Sequence, residues 1–166
     1  MSQRAITWSL AGLLAALLAV PGLADEIWFQ PMGFLHEAPT ETFEAASLGL
    51  SPDGSVAVGR DLAYAPYGYE ATRWTLADGL VGLGDLMAPP YQSQANAVSN
   101  NGVIVGQGSS SASVFEAFRW TEGTGMVGLG TLPGKPASLA FDVSDDGSTI
   151  VGRSQNGDPD AIPLFH

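Results

Sequence analysis

A block of sequence that recurs about every 46 residues is the strongest constraint on what this chain can fold into. Three pairs of equivalent residues show the spacing: Trp74 and Trp120, Gly84 and Gly130, and Gly106 and Gly152. A repeat of this length is one supersecondary unit that must stack on its neighbours to bury its apolar face. We therefore expect a stack of similar units.

Each copy divides into four short apolar runs separated by turn residues. The first two runs flank a turn rich in Asp, Asn and Gly, which accept the positive φ of hairpin turns. The second run, as in residues 103–105, is β-branched without polar alternation, which is typical of a strand buried on both faces. The third run places Phe118 and Trp120 on one face of an extended chain, and Trp74 occupies the equivalent place one copy earlier. We assign these three rings to the core.

The fourth run, at residues 80–86 and 126–132, contains alternating glycines that favour close approach between packed sheets. No stretch after Ala24 has a sustained helical period. The sequence therefore predicts an all-β fold, a propeller-like array of about three four-stranded units. The approximate units are residues 27–75, 80–121 and 126–165.

A β-trefoil, which also has twelve strands in three units, is the alternative fold. Propeller rings normally close with four to eight blades, so three units are too few. The repeat count is compatible with three alternatives. The chain could dimerise into a six-bladed ring, form an open arc, or be a truncated relative of a longer protein.

The first 24 residues predict a secretory signal peptide. Arg4 supplies the positive start, residues 8–20 are uncharged, and Gly22-Leu23-Ala24 ends the segment with small residues. Cleavage is expected between Ala24 and Asp25, leaving residues 25–166 as a single β-repeat domain. Thirteen uncharged residues are too few for a membrane span, which needs ~20. We expect a secreted protein, extracellular, at the cell surface or periplasmic, without a membrane span in the mature chain.

Charge and cysteine content narrow the chemistry. All 17 acidic residues follow Ala24, against five basic ones, so the mature chain has a net charge near −12. Nucleic acid and anionic lipid are not expected as partners, because both need a basic surface. The absence of cysteine excludes thiolate zinc sites, disulfides and cysteine nucleophiles.

The copies resemble a known family of repeats. The tripeptide Glu116-Ala117-Phe118, with the surrounding Val-Ser-x-Asn-Gly and Gly-Met-Val-Gly-Leu-Gly blocks, is similar to the HAF repeat of extracellular bacterial proteins. The resemblance covers residues 29–165, with Glu70-Ala71-Thr72 as the preceding tripeptide. It implies an exported protein whose repeats form propeller-like blades, and it carries no catalytic residues to transfer.

An acidic turn and a set of tyrosines are the two candidate ligand sites. Asp142, Asp145 and Asp146 form a weak calcium candidate, because calcium takes six to eight oxygen ligands. The favoured interpretation is a hairpin turn whose Asp bonds its own backbone, so no metal and no cofactor are expected. The tyrosines Tyr64, Tyr67, Tyr69 and Tyr91 are assigned to linkers between strands. They form a candidate surface for a glycan or a protein, with ordinary loop packing as the competing interpretation.

Catalytic patterns are weak in this sequence. His36 and His166 are the only histidines, and no Gly-x-Ser-x-Gly elbow is present. We therefore expect no catalytic residues and a non-enzymatic binding or interaction module, whose partner is an unknown protein, a glycan or a second copy. The alternative is a secreted carbohydrate-active hydrolase or lyase with paired carboxylates on a propeller-like scaffold.

Overall fold

The computed structural model describes residues 32–33, 45–63, 68–86, 92–111, 113 and 115–156. The predicted signal peptide, residues 27–31 of the first predicted unit and residues 157–165 of the third lie outside the described residues. Ten strands are present in the described part. They are β1 (Ala46–Leu50), β2 (Val56–Ala63), β3 (Gly68–Thr75), β4 (Gly79–Gly82), β5 (Ser93–Val98), β6 (Ile104–Gly108), β7 (Glu116–Thr121), β8 (Gly125–Gly128), β9 (Ala137–Val143) and β10 (Ile150–Gln155).

The strands form three antiparallel sheets. The first sheet has the order β1-β2-β3-β4, the second has the order β5-β6-β7-β8, and the third contains β9 and β10. The all-β prediction is confirmed. No closed barrel and no closed propeller ring is formed by the described strands. A β-trefoil is built around a closed barrel, so that alternative does not fit the described sheets.

The sheets begin and end at different residues from the predicted units. The predicted unit 80–121 joins the fourth run to the strands that follow it, whereas β4 pairs with the preceding β3 and places Leu80 opposite Trp74. The tight turn after Thr75 causes this pairing. The Asp78 amide donates to the Thr75 hydroxyl at 3.0 Å, and Gly79 has a φ of 71°. The chain therefore returns at once along β3, and β8 repeats the arrangement on β7.

The predicted hairpins are present, with loops longer than two residues. The Ser51 amide donates to the Val56 carbonyl at 2.8 Å, and the Gly54 amide donates to the Ser51 carbonyl at 2.8 Å. This is a β-turn with Ser first, Pro second and Gly fourth, the positions that these residues favour. Gly54 has a φ of 74°, which a side chain would strain. The turn at Ser144 has the same backbone bonds, and the turn at Ser99 is one residue shorter, with the Ser99 amide donating to the Val103 carbonyl at 2.9 Å.

Consecutive sheets pack face to face in the same way twice. We call the side of a sheet turned towards the next sheet its forward face, and the opposite side its backward face. At the first interface β5 lies against β1, β2 and β3, and at the second β9 lies against β5, β6 and β7. The stack is therefore a repeated interface as well as a repeated strand pattern.

The first interface contains the predicted aromatic core. Val58 and Ala71 of the first sheet meet Ala95, Ile104 and Phe118 of the second. Phe118 is fully buried, and Trp120 packs beside it half-buried. Trp74 is half-buried and lies outside this cluster, so the assignment of both tryptophans to the core is confirmed for Trp120 alone.

The second interface is built from the same positions. Val105 and Ala117 of the second sheet meet Ala140, Val143 and Ile150 of the third. Ala117 is adjacent to Phe118 but faces the opposite sheet, as the two-residue period of a strand requires. The predicted division of this strand between its two faces is confirmed.

Glycines permit close approach beside the bulge of each sheet, and the fourth-run glycines Gly82 and Gly128 leave room for the carboxylates of Glu70 and Glu116. Gly59, Gly106 and Gly152 each lie opposite a β-bulge in the preceding strand. A Cβ at Gly106 would stand 1.9 Å from the carbonyl oxygen of Gln94. The fourth-run residue Gly84 instead has a φ of 78° with open space around it, so it ends the strand and directs the chain away.

We expect the substitution Gly106→Ala to destabilise the protein by about 1–3 kcal/mol or more. The added methyl would overlap the backbone of Gln94, which cannot move without distorting the sheet. Denaturant unfolding of the purified protein measures the loss. Gly123→Ala is the matched control, since a Cβ there meets nothing within 4 Å. Equal stability of the two variants would contradict the close-approach role of Gly106.

Candidate interaction surface

One candidate tyrosine lies within the described residues, and it lies in a strand. The prediction that all four tyrosines occupy linkers is wrong for Tyr69, which is in β3 opposite Leu62 of β2. The Arg60 guanidinium carbon stands 4.2 Å from the centroid of the half-buried Tyr69 ring, a cation–π distance. This ring is therefore engaged within the first sheet. Tyr64, Tyr67 and Tyr91 lie outside the described residues.

The acidic turn of the third repeat binds its own chain. Asp146 Oδ1 accepts the hydroxyls of Ser144 at 2.6 Å and Ser148 at 2.7 Å, and the Ser148 amide at 3.0 Å. Asp142 Oδ1 accepts the Val143 amide at 2.8 Å. In the described part of the chain, no group of three or more His, Cys, Asp or Glu residues is placed to hold a metal ion. The three aspartates of the calcium candidate thus form no such group.

The same bonds hold the first turn, and they shift the acidity of both aspartates. Asp53 Oδ1 accepts the hydroxyls of Ser51 and Ser55 and the Ser55 amide. The Ser51 hydroxyl, followed by the two Ser55 donors, lowers the pKa of Asp53 to about 2. The Ser144 hydroxyl and then the Ser148 donors lower the pKa of Asp146 to about 2. These carboxylates stabilise turns.

The three turns also bond to one another across the stack. The Asp53 amide donates to Asn100 Oδ1 at 3.1 Å, and the Asn100 amide donates to the Asp145 carbonyl at 3.1 Å. Asn101 Nδ2 donates to the Asp146 carbonyl at 2.7 Å. The turns therefore form a row in which each turn binds the turn of the next repeat.

A repeated Glu and Ser pair completes the polar framework, and sequence reasoning did not identify its role. Glu116 Oε1 accepts the Gly130 amide at 2.9 Å. Ser138 Oγ donates to the Gly130 carbonyl at 2.6 Å and accepts the Ala117 amide at 2.9 Å. Glu70 and Ser93 make the equivalent bonds one repeat earlier, at Gly84 and Ala71. The sequence signal is a Ser two residues before an Ala of the first strand in the second and third copies, at Ser93 and Ser138.

No described strand covers the forward face of the third sheet. Val58, Val105 and Val151 are equivalent residues of β2, β6 and β10, since each precedes the close-approach glycine. Val58 is 2% exposed and Val105 is 0% exposed, because the next sheet covers each of them, whereas Val151 is 55% exposed. Phe141 is also exposed, with the Arg153 guanidinium carbon 5.7 Å from its ring centroid.

The first sheet shows the complementary feature on its backward face. Leu50, Val98 and Val143 are equivalent, because each is the last residue of the first strand and pairs with the start of the second. Val98 is 4% exposed and Val143 is 8% exposed, whereas Leu50 is 63% exposed. The two ends of the stack therefore expose the two halves of the interface that the chain forms twice internally.

A pocket of about 300 Å³ opens beside the third sheet. Its lining residues come from the chain after β8 and from β7, β9 and β10, and include Ala117, Leu129, Leu132, Ala140, Ile150 and Arg153. Arg153 is the one charged residue of the lining, which is otherwise aliphatic, small or hydroxyl-bearing. This composition fits an apolar side chain better than a polar substrate.

Two further acidic residues, Asp85 and Asp78, have a partly buried and an ion-paired carboxylate respectively. Burial raises the pKa of Asp85, opposed by the Ser93 hydroxyl, but Asp85 does not line the pocket. Arg73 and Asp78 form an ion pair at 2.9 Å in the first sheet. His36 and His166 lie outside the described residues.

Comparison with protein-family models, curated proteins and solved structures finds no match to this chain. Within the described ranges, no helix has the length and apolar character needed to cross a membrane. The function proposed below is therefore based on the geometry of this surface.

We expect Asp146→Asn to lower stability near neutral pH and to lose this effect in acid. The folded pKa of about 2 lies below the ordinary value of 3.8, so the ionised carboxylate stabilises the folded state above about pH 4. That contribution disappears as the pH falls from about 4 to about 2. Denaturant unfolding at a series of pH values measures the difference between the variant and the wild type.

Asp145→Asn is the matched control, because it removes one carboxylate from the same turn without touching the Ser144 and Ser148 bonds. Parallel pH profiles for the two variants would contradict the role assigned to Asp146.

Proposed function

We propose that this chain is an exported, non-enzymatic interaction module built as a propeller-like stack of four-stranded repeats. It works by self-assembly, in which the uncovered forward face of the third sheet receives the backward face of the first sheet of a second copy. The partner is therefore another molecule of the same chain.

The observation that carries this proposal is the contrast among three equivalent valines. Val58 and Val105 are buried because a following sheet covers them, and Val151 is exposed at the same position of the repeat. Complete burial of a Val or Leu side chain contributes about 1.5–3 kcal/mol. Covering Val151 and Leu50 together therefore supplies a driving force for association.

The ends of the stack favour a head-to-tail contact. The contact joins a forward face to a backward face, so the two surfaces differ and the interface is heterologous. Such a contact closes into a ring when the rotation between copies permits it, and otherwise extends as a filament. Closure of two copies would give a six-bladed propeller-like ring.

The polar residues of the repeat support a non-enzymatic role. Glu70, Glu116, Asp53 and Asp146 are the acids that recur with the repeat, and each accepts bonds from backbone amides. Carboxylates that accept such bonds are held in fixed positions, which suits turns and strand ends better than proton transfer.

Export and membership of the HAF-type repeats belong to the same proposal. The signal-like pattern of residues 1–24, the lack of cysteine and the acidic mature chain support export to a compartment outside the cytoplasm. The recurring Glu-Ala-Phe-Arg-Trp block supports the resemblance.

We expect the full-length mature chain to associate in solution, and single charge substitutions on either face to abolish the association. Leu50→Asp damages the backward face and Val151→Asp damages the forward face, so neither variant alone keeps an intact interface. Their mixture regenerates one intact interface per pair and recovers a dimer. Sedimentation velocity measures all three samples, because each species differs in mass.

Leu76→Asp is the control, since Leu76 is an exposed turn residue outside both faces. A wild type that remains a folded monomer at high micromolar concentration would overturn the self-assembly proposal. Failure of the mixed variants to pair would overturn the head-to-tail geometry.

We expect expression of the whole sequence in an export-competent bacterium to yield a protein that begins at Asp25, because signal peptidase cleaves after small residues. Intact-mass spectrometry of the periplasmic or medium fraction checks the start. Ala24→Arg, which places a bulky charge at the cleavage position, should leave the precursor uncleaved. A cytoplasmic product that starts at Met1 would contradict export.

A further inference from the structure

One edge of β10 has no neighbour among the described strands, and residues of β10 line the pocket. The equivalent strands β2 and β6 are each paired on both sides, with β1 and β3 and with β5 and β7. Among the described strands, β10 pairs only with β9. A strand edge of this kind offers unpaired amides and carbonyls to an extended peptide.

The pocket corresponds to the position that the Phe118 side chain occupies one repeat earlier. At the first interface, Phe118 of β7 is fully buried against Ala71 and Leu83 of the first sheet and Ala95 and Ile104 of its own sheet. The residues of the next repeat that are equivalent to these four contact residues are Ala117, Leu129, Ala140 and Ile150. All four line the pocket. The pocket therefore stands where the large side chain of a β7-like strand would be.

We propose that the β10 edge and this pocket form a strand-binding site for another polypeptide. The ligand is an extended segment with an acidic residue followed by large apolar residues two and four positions later, the Glu-x-Phe-x-Trp pattern of β7. Its backbone adds a strand to β10, and its Phe enters the pocket. This contact uses the backward side of the third sheet, so it goes beyond the self-assembly through the forward face.

The register of the sheets positions such a ligand. In β7, Glu116, Phe118 and Trp120 stand opposite Gly108, Gly106 and Ile104 of β6. The equivalent residues of β10 are Ser154, Gly152 and Ile150. Gly152 has no side chain to obstruct the Phe, and Ile150 lies beside the place of the Trp. Continuity with the first interface therefore fixes the direction and phase of the bound strand.

The charge at this edge fits the acidic residue of the ligand. Lys135 Nζ donates to Asn156 Oδ1 at 2.9 Å, two residues beyond Ser154. Lys135 is one of the five basic residues that follow Ala24 in an otherwise acidic chain. A negative charge opposite Ser154 is attracted by this cation.

Residues 160–165 of this chain are a weaker match to the same pattern. They read Asp-Ala-Ile-Pro-Leu-Phe, with Ile and Leu at the positions of Phe and Trp. Proline at the intervening position has no amide hydrogen to donate to a neighbouring strand. A Phe and Trp strand from another chain buries more apolar area and keeps every amide, so it is the occupant that the site favours.

A fluorescent peptide with the sequence of residues 115–122 tests the site on the full mature chain. We expect saturable binding by fluorescence anisotropy, and at least a tenfold weaker dissociation constant for Leu129→Asp and for Leu132→Asp. Both leucines are exposed, so both variants are expected to fold. Val127→Asp, an exposed β8 residue outside the pocket lining, should bind like the wild type.

Three results would overturn the proposal. The first is no binding to the full chain, and the second is equal binding of a peptide in which Phe118→Ser and Trp120→Ser are combined. The third is binding that appears only after Ile162→Asp and Leu164→Asp, since residues 160–165 would then be the occupant. Leu50→Asp separates this site from the proposed function, because it lies in the first sheet, away from β10, and should abolish self-association while leaving peptide binding unchanged.

Discussion

The structure depends on one constraint, which is that each sheet can bury its forward face only against the backward face of another sheet. A single four-stranded sheet with apolar residues on both faces is not stable alone in water. The chain buries a forward face at two interfaces, where the second sheet covers Val58 and the third sheet covers Val105. The exposed Val151 and Leu50 lie at the two ends of the stack that the described strands form.

The polar motif residues serve this stack by keeping the sheets at a fixed spacing and register. Each recurring Glu and Ser satisfies backbone groups at the end of a fourth strand, and Ser138 joins β9 to the strand end of the previous sheet. A buried backbone amide or carbonyl without a hydrogen-bond partner lowers the stability of the fold. These side chains therefore supply hydrogen bonds where the pairing between strands ends. Glu70, Glu116, Asp53 and Asp146 each accept a backbone amide in this framework.

Sequence reasoning predicted the strands well and their grouping poorly. The alternation at Ala117 and Phe118 placed these residues on opposite faces, because a strand has a two-residue period. The units were divided at the wrong place, because the pairing of β4 with β3 depends on the turn at Thr75–Gly79 rather than on apolar pattern. Tyr69 was assigned to a linker because β3 begins at Gly68, before the apolar run.

The sequence by itself determined the all-β class, the hairpins and the number of repeats, since these follow from local period, turn residues and self-similarity. Only the tertiary structure decided which strands share a sheet and which valine remains uncovered, because both depend on contacts between residues far apart in the chain. The pocket beside β10 belongs to the second group. Its walls come from β7, β9, β10 and the chain after β8, and no local pattern brings them together.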